Sequence, residues 1–272
     1  HVNGKWLKEF KLPDDKSRYA TFTILREKAR EDVKKIIEEA AETKSSNGSD
    51  NQKIGDLYHS YMDTMSLEQI GIKNLQKEMD KISEIKDLSD LSEYMAYADI
   101  FTTAPFGVYV YIDSKNPTEH VTYLSQSGLG LPNRGYYMDD DEKSKNIRKE
   151  YVIHVGKMFE LYEMSDSKDL ARTVMNIETR LAKFHWKKEK NRDPVLTYNQ
   201  SSMSKIRSMI PSLDWDRWIS GTEIKGIDKI IISQSDYLEN INDIITETSI
   251  DDWKVYYKWA LINRFASLLS SD

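Results

Sequence analysis

Cysteine is absent from this 272-residue chain, which excludes disulfides and thiolate metal sites. The absence names no compartment, because many bacterial secreted proteins also lack cysteine. Histidine is scarce: His1, His59, His120, His154 and His185. None opens the H-E-x-x-H pattern that puts two zinc ligands one helical turn apart with a glutamate between them. His59, His120 and His154 stand singly in helix or strand contexts and read as structural. No apolar run is long enough to span a bilayer. No basic block interrupts the mixed-sign surface, and a net charge of −6 with a pI near 5.5 argues against nucleic-acid binding. No signal-peptide pattern is visible, and a chain that begins at His1 reads as processed, engineered or partial. G-x-S-x-G, the P-loop and G-x-G-x-x-G are all missing; Gly128-Leu129-Gly130 lacks the third glycine and follows a β-prone stretch. Asp139-Asp140-Asp141 lacks EF-hand spacing and leads into a helix, whose N-terminal dipole favours negative charge. The chain by itself shows no recognisable catalytic machinery.

What is present is helix. Charged residues at 31% and hydrophobic residues at 39% suit long, water-facing helices, and the length allows one large domain or two smaller ones. His1 to Pro13 reads as an irregular lead-in, with Asn3-Gly4 a turn and Leu12-Pro13 unfavourable to helix. A strongly amphipathic helix enters from Ser17–Arg26 and runs to about Ala41. Further helices are expected over about Gln52–Met65, Ser66–Ser83 with Ser66 as N-cap, and Ser89 or Asp90 to Ile100. The period then changes: Phe106–Ile112 and His120–Ser125 alternate around Asp113-Ser114-Lys115-Asn116-Pro117, which predicts a β-hairpin. Helices resume over about Asp141–Tyr162 and Asp166–Trp186. Short helices follow at Ser202–Met209 and Asp214–Ile219, then a β-like Lys229–Ile232. The last two helices span about Ser235–Glu247 and Asp251–Leu269. The final helix carries Trp253, Tyr256, Tyr257, Trp259, Ala260, Phe265, Leu268 and Leu269, and so much apolar surface predicts an exposed patch and self-association. The fold class is mainly α: one multi-helical domain over residues 1–272 with one small β-hairpin insertion. No composition break divides it.

The first long helix has a misfit. At about 100° per residue, Phe22, Leu25, Ala29, Val33, Ile36, Ile37 and Ala40 share one arc, expected to face a core. Arg26 projects onto that arc, and Arg18 lies near the same face if the helix already includes it. An inward guanidinium needs an anion, because an unpaired buried charge is costly. Either an acidic residue of another helix supplies it or a ligand does.

Several stretches, in order, resemble the N-terminal half of the neprilysin and endothelin-converting enzyme family of zinc metallopeptidases. They are Val2-Asn3-Gly4-Lys5-Trp6-Leu7; Leu12-Pro13-Asp14 leading to Ser17-Arg18-Tyr19 and Phe22-x-x-Leu25; Tyr58-x-Ser60-x-Met62-Asp63; and Gly128-Leu129-Gly130-Leu131-Pro132-x-Arg134-x-Tyr136-Tyr137. Ile177-Glu178-x-x-Leu181-Ala182, Arg192-Asp193-Pro194 with Tyr198-Asn199, and Leu213-Asp214-Trp215 follow. Ala20 stands where the family usually has glycine, Gly135 replaces a common acidic residue, and Tyr61 replaces a cysteine of animal members.

The resemblance implies a mostly helical, non-catalytic domain that closes over a thermolysin-like catalytic domain and encloses short peptide substrates. It implies that Arg18 and Arg26 bind the carboxylate end of the substrate and that Phe22 lies near a primed-side pocket. Zinc, its ligands and the general base would belong to the C-terminal catalytic domain, a partner within the same protein, with no metal bound by this chain and no catalytic residue in it. It also implies an extracytoplasmic, bacterial setting: periplasmic, cell-surface or secreted. The alternative reading is a non-catalytic helical module that binds peptides or proteins.

Overall fold

The computed structural model describes residues 3–222, 224, 227 and 229–270. His1 and Val2, the latter opening the Val2–Leu7 stretch, lie outside them. The chain forms two compact units, residues 1–69 and 70–272.

The N-terminal unit begins with a short helix, α1 (Gly4–Glu9), where the sequence predicted an irregular lead-in. Six residues, with no side-chain cap, leave little periodicity to read. The long helix α2 (Thr21–Glu42) is followed by α3 (Asp50–Met62) and α4 (Thr64–Ile70). Ser49 caps α3 by accepting from Gln52 N–H at 3.3 Å. Asp63, not the expected Ser66, caps α4, accepting both the N–H and the hydroxyl of Ser66. The helices α2 and α3 pack against each other through small residues. A Cβ added at Gly55 would lie 2.9 Å from the Ala40 carbonyl oxygen, so glycine there permits backbone-to-backbone approach. Little apolar surface is buried by this contact: Ala40 is the one buried residue of α2.

The C-terminal unit holds the core. A 3₁₀ turn (Gly71–Leu75) leads into α5 (Gln76–Ser83), then α6 (Leu88–Asp99), capped by Asp87. The predicted Ser66–Ser83 helix is thus broken at Gly71, whose φ of +54° no other residue adopts easily. The hairpin is β1 (Phe106–Asp113) and β2 (Asn116–Gln126), with Phe106 opposite Gln126 and Ile112 opposite His120. The helices α7 (Gly135–Met138), α8 (Glu142–Leu161) and α9 (Ser167–Phe184) follow. Then come β3 (Asn199–Ser201), α10 (Met203–Met209), α11 (Trp215–Thr222) and β4 (Ile230–Ile232), and last α12 (Ser235–Glu247) and α13 (Ile250–Phe265).

The mainly α class holds, but the hairpin is no isolated insertion. It is half of a four-stranded mixed sheet ordered β1-β2-β4-β3, with β2 parallel to β4 and β3 antiparallel to it. Ile230, Ile231 and Ile232 are all buried, as a central strand covered on both faces requires.

The largest correction concerns α13. Trp253, Tyr256, Tyr257, Trp259, Leu261 and Ile262 are each 2% exposed or less, and the helix packs against α5, α6, α8 and α9. With its aromatic and aliphatic side chains buried against four helices and only polar positions such as Asp251, Asn263 and Arg264 exposed along it, α13 is a central core helix rather than a sticky surface one. The aromatic cluster is therefore the interior of the fold, not an exposed patch.

Candidate functional site

In the N-terminal unit an aromatic series fixes the approach to α2. Trp6 stacks on Phe10 at 4.5 Å between ring centroids, and Phe10 packs on Tyr19 at 4.6 Å. The Tyr19 hydroxyl donates to Glu27 at 2.5 Å, and the Lys16 ammonium lies 3.6 Å from the same carboxylate. These contacts fold the segment before α2 back along its first two turns. Ala20 is extended, at φ −154°, and its N–H donates to the Thr23 hydroxyl at 3.3 Å. The helix therefore starts at Thr21, and Arg18 lies before it rather than on its face.

Phe22 and Arg26 are one turn apart on α2 and share a face. The expected burial of that face does not occur. Phe22 is 85% exposed, and Leu25, Val33 and Ile36 are also exposed. Arg18 and Arg26 are exposed as well. Neither makes an ion pair or hydrogen bond with another described residue, although Lys16, Tyr19 and Glu27 beside them are tied together. The internal acidic partner considered from the sequence is not found among the described residues. What the segment offers is two unpaired guanidinium groups with an exposed phenyl ring between them in sequence.

The other signature stretches mostly hold the fold. Gly128 adopts φ +92° and Gly130 sits so close to its neighbours that an added Cβ would fall 2.0 Å from the Tyr151 hydroxyl. These two constraints, backbone conformation at Gly128 and close packing at Gly130, account for the glycines of Gly-Leu-Gly. Asp193 accepts from Val195 N–H at 2.8 Å in a side-chain turn, and Tyr198 donates to Asp113 at 2.9 Å. Asp113 is buried and also pairs with Lys229, which holds its carboxyl down at about 2. Asp214 accepts from the Ser89 hydroxyl at 2.6 Å, joining α11 to α6. His185 donates through Nε2 to the Ser127 carbonyl at 3.0 Å, and burial lowers its pKa to about 4. His59 bonds the Ala41 carbonyl and His154 stands edge-on to Trp259, both as structural residues.

Sequence reasoning missed Glu178 as a buried acid. It lies on α9, is 1% exposed, and accepts from Tyr137 at 2.6 Å and Tyr151 at 2.9 Å. A signal existed: Glu178 follows Val174 by four residues, on the apolar stripe of α9, the same kind of misfit as Arg26. Asp99, half-buried, accepts from Val108 N–H at 2.7 Å, and burial lifts its carboxyl to about 6. Among the described residues no three His, Cys, Asp or Glu side chains come together as metal ligands, so no residue set here fits a zinc ion.

The comparisons agree with one another. The model of peptidase family M13 for the N-terminal region matches residues 1–272. Endothelin-converting enzyme 1 of Rattus norvegicus is 26% identical over 280 residues, covering 98% of this chain and 36% of that protein. The structure of zinc metalloprotease Zmp1 of Mycobacterium tuberculosis in complex with an inhibitor superposes with a TM-score of 0.90 at 31% identity, over 100% of this chain and 42% of that one. PepO from Lactobacillus rhamnosis shares the fold, with a TM-score of 0.78 at 18% identity. The chain thus spans about 36–42% of the length of these relatives. Residues 1–272 belong to peptidase family M13, as its N-terminal domain.

Proposed function

We propose that this chain is the substrate-side domain of a zinc metalloendopeptidase that hydrolyses short peptides, read as one functional domain over residues 1–272. The zinc and the general base would come from a C-terminal catalytic domain of the same protein. Zmp1 is a zinc metalloprotease, and this chain matches only the N-terminal part of such relatives. Arg18 and Arg26 would take the carboxylate of the substrate, and Phe22 would present an apolar contact to a neighbouring side chain. The observation that carries the reading is the pair of exposed arginines with no partner among the described residues, next to a lysine and a tyrosine that have one.

A guanidinium presents a planar fork of donors that fits a carboxylate through two parallel bonds. Two of them at one end of a helix favour peptides with a free C-terminus over amidated ones. The test is kinetic, in the protein that includes its catalytic domain. Arg18→Ala and Arg26→Ala should each raise KM for free-acid peptides by tenfold or more, consistent with about 2–5 kcal/mol for truncating a charged contact. The same variants should leave C-terminally amidated peptides nearly unchanged. Equal losses on both peptide classes would exclude a carboxylate clamp.

A further inference from the structure

Glu178 has an arrangement of donors that the proposed peptide-binding role of the domain does not account for. Two hydroxyls donate to one carboxyl, Tyr137 at 2.6 Å and Tyr151 at 2.9 Å, and the main-chain N–H of Gly130 and the indole N–H of Trp259 also act on it. The direction of each bond is set from outside. Leu131 N–H donates to the Tyr137 oxygen at 2.8 Å, and the Trp259 indole N–H donates to the Tyr151 oxygen at 2.9 Å. An N–H only donates, so each tyrosine has its accepting side engaged and its one proton aimed at Glu178. No cation pairs with Glu178 among the described residues.

Two of the donors, Gly130 and Tyr137, come from the two ends of one segment, while Tyr151 comes from α8. Gly130 and Leu131 lie between β2 and α7, and Tyr137 lies on α7. A third tie, from the Tyr256 hydroxyl of α13 to the Gly128 carbonyl at 2.9 Å, fixes the start of the segment. A cavity of about 270 Å³, lined by Thr102, Thr103, Asn263 and Arg264 among others, reaches Glu178. The titratable and charged groups around the carboxyl are therefore Tyr137 on α7, Tyr151 on α8, and Tyr256 and Arg264 on α13. His154 of α8 is one ring further off, against Trp259.

We propose that Glu178 is a protonation latch for Gly128–Met138: ionised, it accepts its converging donors and holds the segment, and protonated, it leaves one donor unmatched and loosens it. A protonated carboxyl carries an O–H of its own, which competes with the tyrosine protons already aimed at the same oxygens. The proton enters from solvent through the cavity and returns the same way; Asp99 of α6, beyond Tyr256 and lifted to about 6, titrates separately, and the ¹³C shift of Glu178 keeps the two apart. Burial lifts the carboxyl to about 7, against the pull of its donors, so the exchange falls near neutral pH. The folded chain then holds the proton more tightly than the unfolded one, whose ordinary value is 4.5. Acidification from 7 toward 4.5 accordingly adds to global stability through this group, and the loosening is local rather than an unfolding.

Amide hydrogen exchange of Gly130 and Leu131, with the carboxyl ¹³C shift of Glu178, tests this between about pH 5 and 8.5. Corrected for intrinsic rates, protection of both amides should fall about tenfold or more on the acid side of one transition, and the ¹³C shift should report the same midpoint. Glu178→Gln, which is neutral at every pH, should show low protection throughout and no transition. Tyr137→Phe removes a donor to the ionised form and should move the midpoint to higher pH, and it decides the matter if the glutamine variant does not fold. Constant protection across the range, a transition that survives in Glu178→Gln, or an unmoved midpoint in Tyr137→Phe overturns the latch.

Discussion

The Tyr19 hydroxyl donates to the Glu27 carboxylate at 2.5 Å, and this bond ties the segment that carries Arg18 to the helix that carries Arg26. Because Arg18 precedes α2, its position depends on that tie and on the Trp6–Phe10–Tyr19 stack rather than on helix geometry. Tyr19→Phe keeps the ring packing and deletes the bond. In the protein with its catalytic domain, the variant should raise KM several-fold for free-acid peptides and leave kcat nearly intact. A lower kcat at unchanged KM would remove Tyr19 from any positioning role.

Phe22 separates binding from stability. At 85% exposure it contributes little to the fold of residues 1–272, so Phe22→Ala should shift the unfolding free energy of this chain by no more than about 0.5 kcal/mol. Peptide KM in the full protein should rise. Calorimetry on the one and steady-state kinetics on the other make the comparison.

Gly130→Ala places a Cβ within 2.0 Å of the Tyr151 hydroxyl and 2.9 Å of the Glu178 carboxylate. Overpacking of this kind costs about 1–3 kcal/mol or more. Gly4→Ala, with nothing within 4 Å of the new Cβ, is the matched control and should be close to neutral. Denaturant melts followed by tryptophan fluorescence distinguish the two.

Trp253 is fully buried at the start of α13, in edge contact with Tyr256. Trp253→Ala should cost about 3–5 kcal/mol, as expected for emptying a core tryptophan site. An exposed, self-associating helix would instead tolerate the change and lose an association constant. Sedimentation beside denaturation tells these apart.

The acid side of the stability profile contains opposing terms. His185 is held near 4 in the fold against an ordinary 6.5, so its contribution is lost as pH falls from 6.5 toward 4, where only the unfolded chain gains the proton. Asp99, near 6 against 3.8, and Glu178 act in the other direction, gaining stability as pH falls through their folded values. His185→Gln should therefore make the chain more stable at pH 4.5 relative to pH 7 than the parent. Asp113, held at about 2, matters only below that window. An unchanged slope between pH 7 and 4.5 would show that His185 is protonated in the fold.

Local signals carried most of the helices. Asp141 caps α8 and Ser202 caps α10 where a polar residue precedes an apolar period, and α12 keeps its expected limits. The sheet was partly legible: the hairpin and the β-like Lys229–Ile232 were read, but Asn199–Ser201 is a three-residue strand, and the joining of the four strands depends on contacts distant in sequence. The site divided along the same line. Arg26 and Phe22 follow from helix period, while the place of Arg18 depends on Ala20 being extended, which no cap at that position announces. Burial was the hardest quantity to read. The apolar stripe of α2 and the apolar girth of α13 look alike as strings, yet one faces outward and the other is the centre of the core.

The close approach of Gly55 to Ala40 has a mechanical meaning for the arginines. Two helices joined backbone to backbone, with their larger apolar side chains turned outward, have almost no core of their own to resist bending. Within residues 1–69, the stiffness of α2 at its Arg26 end therefore comes from the Lys16–Tyr19–Glu27 tie and the aromatic stack behind it. A carboxylate bridging Arg18 and Arg26 would add a fourth strut to that end, so ligand binding and rigidity of the helix start should rise together.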